Sequence, residues 1–270
     1  MTSKGFLARV FGKTEDDSGE CVHDRVLGAM HLHAVLPRLQ ELVRMDDEAR
    51  GLVKGLDMRL EFKVFRGPRI VLAFKDGQVT ASRDGASNVG LLFPSHAALN
   101  RMFAGENVVP IPFKGFWHLG KMKAFTRLTE ILTEYLKPGE GALDDPAFRL
   151  KHVELSLLVG LAATDAVLAL DPRAARIAAG LHEGTILYRV GDQLEAHVIV
   201  RKSGIEAHGG SLPEPTTTLQ IRDVDLCVDL IAGKVDTFAA MGACDVMITG
   251  GISLADEFNT LFDRVGLFLS

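Results

Sequence analysis

The same ending is written twice in this chain, and few folds accommodate it. A short apolar strand runs into glycine and an amphipathic helix follows, first across residues 108–136 with the hinge at Gly115, then from Cys244 with the hinge at Gly250-Gly251. In the first helix Leu119, Met122, Leu128, Ile131, Leu132 and Tyr135 recur at helical spacing, and in the second Leu254, Phe258, Leu261 and Phe262 do so. Two copies of one ending predict two copies of one domain.

What precedes each ending repeats as well. Residues 22–45 read as a helix that Pro37 kinks or divides, and 148–170 as its counterpart. A short helix follows each, and VRMDDEARGLVKGL (43–56) aligns with LALDPRAARIAAGL (168–181) through shared Asp, Ala, Gly and Leu. Strands are expected at 58–65, 69–75, 78–82, 88–93 and 108–114, then at 185–190, 194–202, 205–208, 216–221 and 244–249. Asp76-Gly77 is a hairpin turn because both residues tolerate positive φ, and Ser203-Gly204 occupies the matching place. Helices begin at Pro94-Ser95 and at Asp223, and a further helical turn at 235–241 belongs to the second copy alone. Pro138-Gly139-Glu140-Gly141 is the natural boundary. The organisation is therefore a flexible N-terminus (1–21), one domain over 22–139 and another over 140–270. The fold class is α+β, with each domain a mostly antiparallel five-stranded sheet covered by helices.

Charge and cysteine usage narrow the function. Residues 1–140 carry 20 Lys and Arg against 17 Asp and Glu, and the remainder 10 against 18. No concentrated basic face for nucleic acid results, but the first half can approach an anionic surface or ligand. Cys21, Cys227 and Cys244 are scattered, without the spacing of a disulfide framework or zinc site, and fit a reducing cytoplasm; Cys227 and Cys244 read as small buried apolar residues. The first residues place Phe6, Leu7, Val10 and Phe11 on one side of a short segment that reads as a frayed terminus or an interfacial anchor. The apolar run 153–170 is interrupted by Glu154 and Asp165, which favours a buried helix over a membrane span.

At this point the second copy resembles the sterol carrier protein type 2 (sterol-binding domain) family. GTILYRVGDQLEAHVIVRKSGIEAHGG is similar to its opening strands. Ala232-Gly233, Phe238-Ala239-Ala240-Met241 and Ile248-Thr249-Gly250 match its closing pattern. The first copy matches through LLFPSHAALNRMFAG and PFKG but lacks the turn between them. The resemblance implies a sheet with helices on one face around an apolar tunnel for sterols, fatty acids or acyl-CoA. Some relatives serve as accessories in quinone biosynthesis.

The candidate tunnel walls are Phe113, Phe116, Trp117, Met122 and Phe125, and Phe238, Met241, Met247, Phe258 and Phe262 in the second copy; the bland alternative is ordinary core. Lys114, His118, Lys121 and Lys123, with Arg127 nearby, interleave with the first set and suit a headgroup or membrane interface, against the alternative of a solvated helix face. No nucleophile, metalloprotease or phosphate-loop motif is present, so no catalytic residue, cofactor or metal is expected and the chain reads as non-enzymatic. His31 and His33 fall on different sides of a helix. His197 and His208 can approach across a hairpin, but no further ligand completes a shell. Two readings stay open. One is a cytoplasmic lipid carrier, peripheral at the membrane, that sequesters a fatty acyl, sterol-like or polyprenyl ligand. The other is a ligand-free scaffold or accessory protein, including a quinone-biosynthesis subunit, that works as a homodimer or with a protein partner.

Overall fold

A computed structural model describes residues 21–115 and 122–269. Each half of the chain builds one five-stranded sheet. The first contains β1 (Met58–Val64), β2 (Arg69–Lys75), β3 (Gln78–Ser82), β4 (Val89–Phe93) and β5 (Ile111–Lys114), in the order β3-β2-β1-β4-β5. The second contains β6 (Gly184–Val190), β7 (Leu194–Arg201), β8 (Gly204–Gly209), β9 (Thr217–Ile221) and β10 (Val246–Gly250), in the order β10-β9-β6-β7-β8. These are one topology. The first strand of each set is central, runs antiparallel to the second and parallel to the fourth, and the remaining pairs are antiparallel. The fold is α+β, as the order of elements predicts.

Alternation along the strands sends one face of each sheet to the helices. Leu60, Phe62, Ile70, Leu72, Phe74, Val89, Leu91 and Phe93 fill the first core, and Ile186, Tyr188, Val190, Ala196, Val198, Val200 and Ile205 line the second. The helical cover in the first half is α1 (Val22–Met30), α2 (Leu39–Met45), α3 (Asp47–Val53), α4 (His96–Phe103) and α5 (Met122–Leu136). In the second half it is α6 (Pro146–Leu170), α7 (Ala174–Ala178), α8 (Val224–Ile231), α9 (Thr237–Gly242) and α10 (Ile252–Leu269). Between α1 and α2 the chain passes through a π turn (His31–Val35) and a 3-10 turn (Leu36–Arg38). Pro37 explains both: its ring displaces the carbonyl four residues earlier and it has no N–H to give, so the helix widens and then tightens around it.

Two departures from the sequence expectation change where side chains sit. The second hairpin turns on Lys202 and Ser203, with Arg201 opposite Gly204, so Gly204 is the first residue of β8. A Cβ there would lie 2.7 Å from Asp165 Oδ1, which accepts the Ile205 N–H at 3.0 Å; the glycine admits that carboxylate. Cys244 is exposed in a turn with φ of 61°, not buried, because the strand begins at Val246. Cys227 is buried as expected, and burial pushes its thiol up to about 12.

The leading helices of the two halves interlock. Val26, Ala29, Met30 and Ala34 pack into the core of the second half, while Leu155 of α6 packs into the core of the first. This explains why α6 is apolar on all sides: a helix sandwiched between two cores has no wet face. It is long and apolar enough to cross a membrane. Its interruptions are bound within the protein, though, Glu154 by Arg44 at 2.7 Å and Asp165 by Arg83. A polar latch closes the same seam. Asp46 caps α3 through Ala49 N–H at 2.9 Å, accepts the Tyr135 hydroxyl at 2.9 Å and faces the Lys151 ammonium at 3.6 Å. His152 Nδ1–H donates to the Tyr135 carbonyl at 2.7 Å.

Burial alone would raise the Asp46 carboxyl. The Ala49 N–H, the Tyr135 hydroxyl and the Lys151 charge outweigh it and hold the group below its ordinary 3.8. A carboxyl depressed by folding stabilises the native state above its unfolded value and loses that contribution as pH falls through the folded one. Acid titration of the unfolding free energy should therefore show a decline below pH 3.8 that is shallower in Asp46→Asn. Asp46→Ala should cost about 1–2 kcal/mol at neutral pH from the lost cap.

Candidate functional site

The joint between β5 and the helix beyond it positions the most unusual surface of the first half. Gly115 has φ of 72°, and a Cβ on it would meet the Asn88 carbonyl oxygen at 2.1 Å. Gly250 repeats this with φ of 91° and the Thr216 oxygen at 2.4 Å. The close approach seats the final strand of each sheet tightly beside the fourth.

Register then decides what shares a face. Lys63 pairs with Leu92 and Leu92 with Ile111, so these three stand in one row on the side of the sheet turned away from the helices. The Phe113 ring lies on Gly90, where a Cβ would fall 2.5 Å from its Cζ. Gly90 pairs with Glu61, which puts Phe113 on that same outward face. Beneath it runs a polar chain. Ser87 donates to Glu61 Oε2 at 2.6 Å, Arg69 lies 3.4 Å from Glu61 Oε1, and Lys114 donates to Ser87 at 3.4 Å. Phe65 closes β1 with Arg66 over its ring at 5.3 Å. Phe65, Val109, Ile111 and Phe113 are 56%, 77%, 52% and 44% exposed. The corresponding row of the second sheet is Arg189, Gln220 and Met247, and Thr218 stands where Gly90 does. The apolar row thus belongs to the first half.

The expected wall residues do not converge on one cavity. Phe125 packs against Phe62 and Phe74, with ring centres 5.3 and 6.4 Å away, and is buried in the first core, with Met122 at its margin. Phe258 is fully buried beside Tyr188 and Phe262; the Phe262 ring rests against Gly160 of α6, and Met241 packs at the edge of that core. Phe113 and Met247 stand on outward sheet faces, and Phe238 is 72% exposed on α9. Phe116, Trp117, His118 and Lys121 lie outside the described residues, as do Phe6, Leu7, Val10 and Phe11. Lys114 and Lys123 are exposed. Arg127 is not available to an anionic ligand: Glu48, Glu134 and Glu130 surround it and raise its pKa. The two cavities described are open surface grooves with mixed polar and apolar linings. One, of about 640 Å³, lies over β1, β2 and β3 beside Arg59, Lys75 and Thr80; the other, of about 270 Å³, lies at the end of α6 beside Leu181 and Lys202.

The leading-helix histidines do separate. His31 Nδ1–H donates to Asn100 Oδ1 at 3.2 Å and its ring stacks on Phe103 at 4.3 Å, while His33 Nε2–H donates to the Arg69 carbonyl at 3.1 Å. Burial lowers the His31 imidazole to about 4, so it is neutral in the fold.

The outward apolar row had a weak signal in sequence. In NVVPIPFKGF apolar residues occupy both alternating positions, as they do in a strand with no polar face.

No family model and no curated protein matches this chain. Solved structures similar to it include a UbiJ–SCP2 ubiquinone synthesis protein, 13% identical over 39% of this chain and 90% of that one, with a TM-score of 0.32. The sterol carrier protein domain 2 of Helicoverpa armigera is 18% identical over 41% of this chain and 87% of that one, with a TM-score of 0.31. The inverting sec-alkylsulfatase Pisa1 from Pseudomonas sp. is 14% identical over 63% of this chain but 30% of that one, with a TM-score of 0.26.

Proposed function

We propose that this protein binds lipid and does so through its first half, lying peripherally on an anionic lipid surface at the β4–β5 edge. The observation that supports this is the outward row of half-buried Leu92 with exposed Ile111 and Phe113, together with exposed Phe65 and Val109 and the cations Lys63, Arg66 and Lys114. Apolar side chains framed by cations match the layering of an anionic interface, where each ring or branched chain that enters the acyl region contributes about 1.5–3 kcal/mol and each cation about 1 kcal/mol. The acidic second half, whose equivalent row holds Arg189 and Gln220 beside a single apolar Met247, serves on this reading as a structural partner. On this reading the cytoplasmic side of a membrane is the site of action, and the ligand carries a fatty acyl, sterol-like or polyprenyl chain.

Co-sedimentation with vesicles tests it. Binding to mixed phosphatidylglycerol–phosphatidylcholine vesicles should exceed binding to phosphatidylcholine alone and weaken with salt. Ile111→Glu or Val109→Glu should reduce it by roughly tenfold or more, since a charge replaces a side chain worth that much in the acyl layer. Met247→Glu, on the second sheet, should leave it unchanged. A chain that sediments with neither vesicle and yields no lipid on organic extraction of the purified protein would point instead to the scaffold reading, with the acidic half as its docking face.

A further inference from the structure

The hairpin of β7 and β8 sets His197 directly opposite His208 on the outward face of the second sheet. Their ring centres are 5.4 Å apart and the planes are tilted by 31°. A metal held about 2.1 Å from one nitrogen of each ring at a tetrahedral angle places two imidazole centres about 5 Å apart, so the pair stands near the separation such a bridge requires.

The hydrogen bonding around the rings suits the same role. His197 Nδ1–H donates to the Gly210 carbonyl at 2.9 Å, which fixes the tautomer and leaves the Nε2 lone pair free. A carbonyl behind the ring is the usual orienting contact of a metal-bound histidine. Glu206 lies beside His208, with Oε2 3.5 Å from His208 Nε2 while Oε1 is held by Arg201 at 2.5 Å. No group of three or more His, Cys, Asp or Glu side chains among the described residues converges as a complete shell. Two imidazoles are what the site supplies, and water completes the coordination.

We infer that His197 and His208 form a two-imidazole chelate for a divalent transition metal of the copper, nickel or zinc class. Imidazole nitrogen favours these ions over magnesium or calcium, which take oxygen. The bridge joins edge strand β8 to β7 and so holds the hairpin that receives Asp165 of α6. Bound metal therefore raises the melting temperature.

Titration of the full chain with Cu²⁺, followed by calorimetry and electron paramagnetic resonance, tests the inference. The expected result is one ion per chain with hyperfine structure from two nitrogens. His197→Ala and His208→Ala should each weaken binding at least tenfold and leave a single nitrogen. His182→Ala, at an exposed imidazole bound to Glu257, should match the parent chain. His208→Gln, which keeps a polar side chain at this exposed position, serves if the alanine variant folds poorly. Wild-type affinity in either pair variant, or a parent spectrum showing one nitrogen or none, overturns the proposal.

Discussion

Gly250→Ala is expected to lower the unfolding free energy by about 3 kcal/mol, and Gly115→Ala by a similar amount, read as a shift of the urea midpoint at unchanged m-value. Two costs add. A Cβ at positive φ strains the backbone by about 1–2 kcal/mol. It also strikes a carbonyl oxygen, that of Thr216 at 2.4 Å for Gly250 and that of Asn88 at 2.1 Å for Gly115. Relieving the Gly250 clash pulls the strands apart where Gly251 N–H donates to that Thr216 oxygen at 2.9 Å, a bond worth about 1 kcal/mol. Gly266, in α10 with nothing within 4 Å of its would-be Cβ, is the control. There alanine should stabilise by about 0.5–1 kcal/mol through helix propensity. Equal effects at Gly250 and Gly266 would mean that the strand–helix joint is not the tight seat described above.

Asp171→Ala should cost about 3–5 kcal/mol, because it strands a charge that the fold has buried. Asp171 ends α6, accepts the Arg173 N–H at 3.0 Å and receives the Arg264 guanidinium from α10 through Nε at 2.6 Å. The Asp171 side chain is 4% exposed and that of Arg264 18%. Removing the acid leaves the guanidinium desolvated without its partner. Replacing both, as Asp171→Asn with Arg264→Met, should cost less than Asp171→Ala alone, since no unpaired charge remains. A double variant that unfolds more readily than the single would show that the pair contributes through its charge and not through avoidance of a stranded ion.

Much of the architecture could be read before any coordinates. Alternating and helical periodicities and glycine punctuation located the ten strands, because the period of burial and the φ limits of turns are local properties. The largest boundary error, in the strand that begins at Ile111 and not Val108, falls at the start of an edge strand that even accommodates Pro112 opposite Leu91, so alternation and proline placement do not mark where its pairing begins. Function was less legible. Phe125 packs on Phe62 and Phe74, and Phe258 on Phe262, whose ring rests on α6; a core ring and a ligand wall have the same composition and spacing, so the sequence leaves both readings open. Arg127 reads in sequence as part of a basic interface or a solvated helix face, whereas in the fold Glu48, 79 positions earlier in the chain, lies against it. His197 and His208 were placed near each other by the hairpin, but their separation follows from a register centred on Lys202 and Ser203 instead of Ser203-Gly204.

The sequence by itself determined the elements, their repeated order and the glycine joints, since each rests on the stereochemistry of a few neighbouring residues. Only the tertiary structure decided which side chains share a surface. Strand register set the row Lys63, Leu92 and Ile111, although its members are separated by tens of residues. Packing of α1 against α6 joined the two halves through exchanged core residues, because a helix apolar on all sides can be buried only between two bodies. Those are long-range choices, fixed by the burial of the whole chain and not by any segment of it.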